Sequence, residues 1–218
     1  MDKPLVVMIN PNSSTVTTAR MVHIGQGMLG DRAIALEGRT ASTGPAMLTT
    51  PETLTACEAQ VLAMAEALPP RAGIIVSAFG DPAMDRLRAQ HDGPVTGIGE
   101  ASFLEAGRDG RRFGIATTTP ALDAAIRARV AASGRAAQLS GISYTGGDPF
   151  VLTADPQALF EALKRAAEAE AAKGAEAVII GGGPLAQVAQ RLEAETGLPI
   201  IAPIPAAIRH MVRLLAGG

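Results

Sequence analysis

The stretch Gly73-Ile-Ile-Val-Ser-Ala-Phe-Gly-Asp-Pro82 leaves the chain few folds to choose from. A short apolar run with two β-branched isoleucines ends abruptly in small residues and an Asp-Pro pair. That is how a buried parallel strand runs into the turn at its carboxyl end. In an open α/β sheet, ligands bind just beyond those carboxyl ends. Ser77, Ala78 and Gly80 therefore read as a pocket floor. The chain repeats the device at Ala177-Val-Ile-Ile-Gly-Gly-Gly-Pro-Leu-Ala186.

Similar units fill the space between. Strands are expected at Leu5–Ile9, Ala33–Leu36, Val95–Ile98, Arg112–Ala116, Gln138–Tyr144 and Pro199–Ile201. Helices are expected up to Met28, over Pro51–Leu68 with Thr49 or Thr50 as cap, up to about Ala132, over Asp155–Lys173, up to Thr196, and from Pro205 onward. Ile9 matches Ile115, Ala78 matches Gly182 and Pro94 matches Pro199, at offsets of 106, 104 and 105 residues. Near-constant spacing of strand-loop-helix units points to an internal duplication. Alternating β and α segments with short links give a parallel sheet in each half. The expected fold is α/β: two pseudo-symmetric domains whose parallel sheets face a central cleft. Residues 1–96, with a C-terminal helix over about 204–218, form the first domain and residues 97–203 the second.

Composition closes several other routes. With net charge −2, scattered Lys and Arg, 3% aromatic residues and no Trp, the chain offers no footprint for nucleic acid. No apolar run approaches the roughly 18 residues of a membrane span. The acidic amino terminus before a five-residue apolar run does not read as a signal peptide, so a cytoplasmic location is expected. Cys57 is the only cysteine, so the chain holds no internal disulfide and no thiolate cluster for a metal. His23, His91 and His210 lack metal-ligand spacing. Gly181-Gly-Gly183-Pro184-Leu185-Ala186 matches a dinucleotide-loop pattern, but only one strand follows it where such a loop opens a domain of several.

Ile9-Asn-Pro-Asn-Ser-Ser14, Gly44-Pro45, Phe79-Gly-Asp-Pro82, Gly97-Ile-Gly-Glu-Ala101 and Thr117-Thr118 together resemble the aspartate/glutamate/hydantoin racemase superfamily. The hydantoin and allantoin racemase branch is the nearest match. The resemblance spans essentially the whole chain. It implies two similar α/β domains around a cleft, no cofactor, self-association into a homo-oligomer, and a small carboxylate or cyclic ureide or amide as partner. It also implies two cysteines flanking the substrate's α-carbon, one removing a proton and the other donating one. Those positions fall at Ala78 and Gly182, and a family aspartate after the last strand falls at Ala202. Neither Ala nor Gly transfers a proton, so the two-thiol route is closed to this chain.

The remaining candidates follow from the same loops. The resemblance implies that Asn12, Ser13 and Ser14, with Thr117, Thr118 and Thr119 opposite, bind the substrate's carboxylate or ring, a role compatible with plain helix capping. Thr43, Gly44, Pro45 and Phe79 are expected to line the pocket. Gly181, Gly182 and Gly183 are expected to leave room for a substrate group and to present N–H donors to an oxyanion. Ser77, Asp81 and Tyr144 are the candidate proton carriers, each with a structural alternative: strand packing for Ser77, capping for Asp81, core packing for Tyr144. Tyr144 is matched to Ser42-Thr43 in the first half. Three functions remain open: an enzyme with altered chemistry such as decarboxylation, ring opening or hydrolysis; a non-catalytic binder of small anions; and a racemase with substitute acids.

Overall fold

The computed structural model describes residues 3–183 and 185–217, with Pro184 outside that range. In the first half, β1 (Leu5–Asn10), β2 (Ala35–Thr40), β3 (Gly73–Val76) and β4 (Val95–Gly97) form a parallel sheet of order β2-β1-β3-β4. In the second, β5 (Phe113–Thr117), β6 (Leu139–Tyr144), β7 (Ala177–Gly181) and β8 (Ile200–Ile201) repeat that order as β6-β5-β7-β8. The helices are α1 (Thr15–Leu29), α2 (Pro51–Ala56), α3 (Glu58–Glu66), α4 (Met84–Gln90), α5 (Ile98–Ala106), α6 (Asp123–Ala132), α7 (Pro149–Ala154), α8 (Pro156–Ala172), α9 (Ala186–Thr196) and α10 (Pro203–Gly217).

Strand alternation sorts the apolar side chains into layers. Val7, Ile9, Ile74 and Val76 face outward onto Val61 of α3 and Met84 and Leu87 of α4. Val178 and Ile180 face outward onto Leu159, Phe160 and Leu163 of α8. Met8 and Ile75 point the other way, as do Ile115 and Ile179, and share one central core with α5 and α10. Those two helices change sides. The helix α5 follows β4 yet packs against β7 and β8, while α10 follows β8 yet packs against β3 and β4. They also pack on each other, and Arg209 of α10 holds Glu105 of α5 through two N–H donors.

The structure adjusts several sequence expectations. Val7 stands opposite Ile74 and Gly114 opposite Val178, so Met8, not Ile9, is the counterpart of Ile115. The strand expected to end at Leu36 runs to Thr40 because it pairs with β1 along its whole length. The helix expected over Pro51–Leu68 is two helices joined at Cys57. The helices α4 and α7 lie where the sequence pattern suggests only loop.

Candidate functional site

The carboxyl ends of β1, β3, β5 and β7 lead into Asn12–Ser14, Ser77–Asp81, Thr118–Thr119 and Gly182–Gly183, while Thr43–Pro45 follow β2 and Tyr144 ends β6. Asn10 is fully buried, and its Nδ2 donates to Asn12 Oδ1 (2.9 Å), Thr18 Oγ1 (2.9 Å) and the Ser14 carbonyl (3.2 Å). Asn12 Oδ1 in turn accepts from the Ser14 N–H at 2.9 Å. The loop is thus shaped by its own side chains, and Ser14 Oγ caps α1 by accepting from Thr17 N–H. Ser13 donates from its N–H to the Pro45 carbonyl and from Oγ to the Gly44 carbonyl. This brings the second expected loop, Gly44-Pro45, against the first. Thr43 is held by the side chain of Gln60.

In the second half, Thr117 Oγ1 donates to the Gly181 carbonyl at 3.1 Å and lies 3.4 Å from Thr119 Oγ1. Thr118 is buried beside them. Sequence reasoning missed Thr145. Its N–H donates to the Thr117 carbonyl, and its hydroxyl is buried with no partner among the described residues. Its place one residue past β6, beside Thr117, was the available signal.

The two halves touch through Phe79. A Cβ on Gly181 would stand 3.1 Å from Phe79 Cε1 and 2.9 Å from Thr117 Cβ; a Cβ on Gly183 would stand 2.7 Å from Met21 Sδ. The space expected for a substrate group at Gly181 and Gly183 is therefore taken by Thr117, Phe79 and Met21. Gly182 differs: its φ is +154°, and a Cβ there would stand 2.8 Å from Leu185 Cδ1. Phe79 itself rests edge-on against Phe103, ring centroids 5.6 Å apart. Among the described residues, the N–H groups of Ala78, Phe79 and Gly80, and of Thr119, make no backbone–backbone hydrogen bond. Such rows of free donors at strand ends suit an anion.

The three candidate proton carriers all have partners. Ser77 is 4% exposed and donates back to the Ile75 carbonyl. Asp81 is 2% exposed and accepts from Gly99 N–H (2.9 Å) and Glu100 N–H (2.6 Å), closing the amino end of α5. Burial pushes its carboxyl up to about 7, against the pull of those two N–H groups and of Arg129. Tyr144 donates to Asp123 Oδ1 at 2.5 Å, and burial, then that bond, raise its pKa above the ordinary tyrosine value. The register sets Tyr144 opposite Thr117 as it sets Thr40 opposite Asn10, so its counterpart is Thr40 rather than Ser42-Thr43. Cys57 donates to the Leu54 carbonyl, and burial, reinforced by Glu58, pushes its thiol up to about 11. That is no nucleophile. Among the described residues, no group of three or more His, Cys, Asp or Glu could hold a metal ion.

Residues 6–211 match the family model described as Asp/Glu/Hydantoin racemase. A hydantoin racemase from Paenarthrobacter aurescens is 29% identical, the match covering 98% of this chain and 92% of that protein. The allantoin racemase structure from Pseudomonas fluorescens superposes with TM-score 0.91 at 21% identity, covering 98% of this chain and 92% of its own. An arylmalonate decarboxylase structure superposes with TM-score 0.63 at 20% identity, over 99% of this chain and 94% of its own.

Proposed function

Because the chain belongs to the Asp/Glu/hydantoin racemase family, we propose that it is a cofactor-independent enzyme for a small carboxylate, hydantoin-like or cyclic amide compound. The substrate binds between the two sets of strand-end loops. One observation carries the reading: Ala78 and Gly182 occupy equivalent places beyond β3 and β7, and neither side chain can move a proton. Racemisation needs a base on one face of the α-carbon and an acid on the other. Decarboxylation, ring opening or hydrolysis needs less. Charge that develops on a carboxylate or enolate oxygen is held by the free N–H groups after β3 and β5 and by the nearby threonine hydroxyls. Water then serves as proton donor or nucleophile. In decarboxylation the bond to the carboxyl carbon breaks, CO2 leaves, the electron pair stays on the substrate as an enolate, and water protonates the carbon and is left as hydroxide.

A second reading, a small-anion binder without turnover, draws on the engagement of Ser77, Asp81 and Tyr144 with protein partners. Incubation of the chain in D2O with hydantoin, 5-benzylhydantoin, phenylmalonate and pyroglutamate, followed by NMR and chiral chromatography, separates the two. Consumption of one compound without racemisation supports the enzyme. Rapid exchange and racemisation at the α-carbon overturns the non-racemising chemistry and favours a racemase with substitute acids. Thermal stabilisation without reaction supports the binder, and no binding at all removes both. The reading includes a cytoplasmic homo-oligomer, whose assembly sedimentation checks. Among the described residues, no helix is long and apolar enough to cross a membrane.

A further inference from the structure

The two halves carry the same short helix in two different states. Pro51-Glu-Thr-Leu-Thr-Ala56 forms α2 and Pro149-Phe-Val-Leu-Thr-Ala154 forms α7, each opening on a proline after a capping residue, Thr50 or Asp148. The first is docked. Leu54 is 8% exposed, belongs to the core between the sheets, and approaches Gly80 so closely that a Cβ there would lie 2.7 Å from Leu54 Cδ1. Thus α2 reaches from the end of β2 across β1 to the loop after β3. By contrast, α7 buries none of its residues fully. Leu152 is half-buried, while Phe150 and Val151 stand 50% and 71% exposed.

The joints differ as well. Before α7 lie Gly146 and Gly147, both with positive φ (72° and 75°), and after it Asp155, at φ −113° and ψ 102°, separates it from α8. The helix α2 runs almost directly into α3 through Cys57, whose φ −79° and ψ −14° stay helical. We infer that α7 is a hinged cover for the second half of the cleft. With substrate bound it turns about Gly146-Gly147 and Asp155 and crosses the end of β5 toward β7, as α2 already crosses β1 toward β3. Phe150 and Val151 then lie against an apolar substituent of the substrate, and their burial drives the closure. The inference rests on the proposed function and narrows it: the substrate carries an aryl or branched alkyl group beside its carboxylate or cyclic amide.

The full chain has no Trp, so Val151→Trp supplies a single reporter on α7. In the free protein, α7 amides should exchange with deuterium faster than those of α2. Addition of 5-benzylhydantoin should shift the Trp emission to shorter wavelength. Phe150→Ser should weaken 5-benzylhydantoin binding by about tenfold and leave unsubstituted hydantoin unaffected, the discrimination a lost apolar contact gives. If 5-benzylhydantoin binds but neither the emission nor the Phe150→Ser affinity changes, the cover is wrong and the site reading stands. Equal protection of α7 and α2 in the free protein overturns the cover without any ligand. So does a dimer that becomes a monomer in Phe150→Ser, because the face would then belong to a second copy. If none of hydantoin, 5-benzylhydantoin, phenylmalonate and pyroglutamate stabilises the wild-type chain, the site reading fails and the inferred substrate class with it.

Discussion

Ala78 and Gly182 sit at equivalent strand ends but tolerate change differently. Ala78 already has a Cβ, so Ala78→Cys should unfold in urea within about 0.5 kcal/mol of wild type. Gly182 has φ +154° and Leu185 close to where a Cβ would go. Gly182→Ala should therefore cost about 1–3 kcal/mol in the same measurement, the usual cost of a side chain in a backbone region that glycine dominates. Asp81 gives a pH prediction. Its carboxyl is pushed up to about 7 in the fold, against about 3.9 in an unfolded chain. A raised acid pKa means that the unfolded chain releases its proton first. This group's stability is therefore fully present below about pH 3.9 and lost as pH rises from there through about 7. Urea midpoints of wild type and Asp81→Asn compared across pH should show that declining contribution in the wild type alone. At this scale the sequence was legible where a residue's role is backbone-local: Ser14 as cap and Asn12 in its loop. It was less so where a distant neighbour decides. Nothing near Gly181 in the chain shows that Phe79 and Thr117 fill its space, or that Asp123 takes the hydroxyl of Tyr144.

The strands β1, β3 and β7 were legible because three to five successive apolar residues have few other homes, and because Asn10, Ser77 and Gly181 stop the runs. Strand lengths were less readable. Glu37 and Arg39 in β2 look like loop residues until the pairing with β1 is seen, where they form an ion pair on an exposed edge. The short helices escaped for a related reason. The start of α4 is Ala83 in a left-handed conformation with no side-chain cap, and α7 has too few turns to show an apolar period. The docked and open helices invite a direct comparison. Leu54→Ala should cost about 2–5 kcal/mol as a buried leucine truncation does, whereas Leu152→Ala should stay below about 1 kcal/mol. Urea denaturation of both variants checks the difference. In the second sheet, Gly114 and Gly141 make space for Glu170, a fully buried carboxylate held by Ser140, Ser143 and Lys173. Gly114→Ala would drive a methyl into that side chain, and a loss of about 1–3 kcal/mol is expected from such overpacking.

The whole molecule carries one natural probe in each half: Cys57, the only cysteine, between α2 and α3, and Tyr144, the only tyrosine, at the end of β6. One central core joins both sheets through α5 and α10, so the halves should not unfold separately. Thiol reactivity of Cys57 and fluorescence of Tyr144 should follow the same urea curve; two separate midpoints would show that the halves are independent. The crossing of α5 and α10 also bears on descent. A single repeat, standing alone, would send its last helix away from its own sheet and leave that sheet's inner face bare. It could close its core only by exchanging that helix with a second copy, as domain-swapped dimers do. Joining two such copies end to end would turn that exchange into an intramolecular one. Cutting the present chain between α5 and β5 should accordingly yield two fragments that fold in each other's company and not apart.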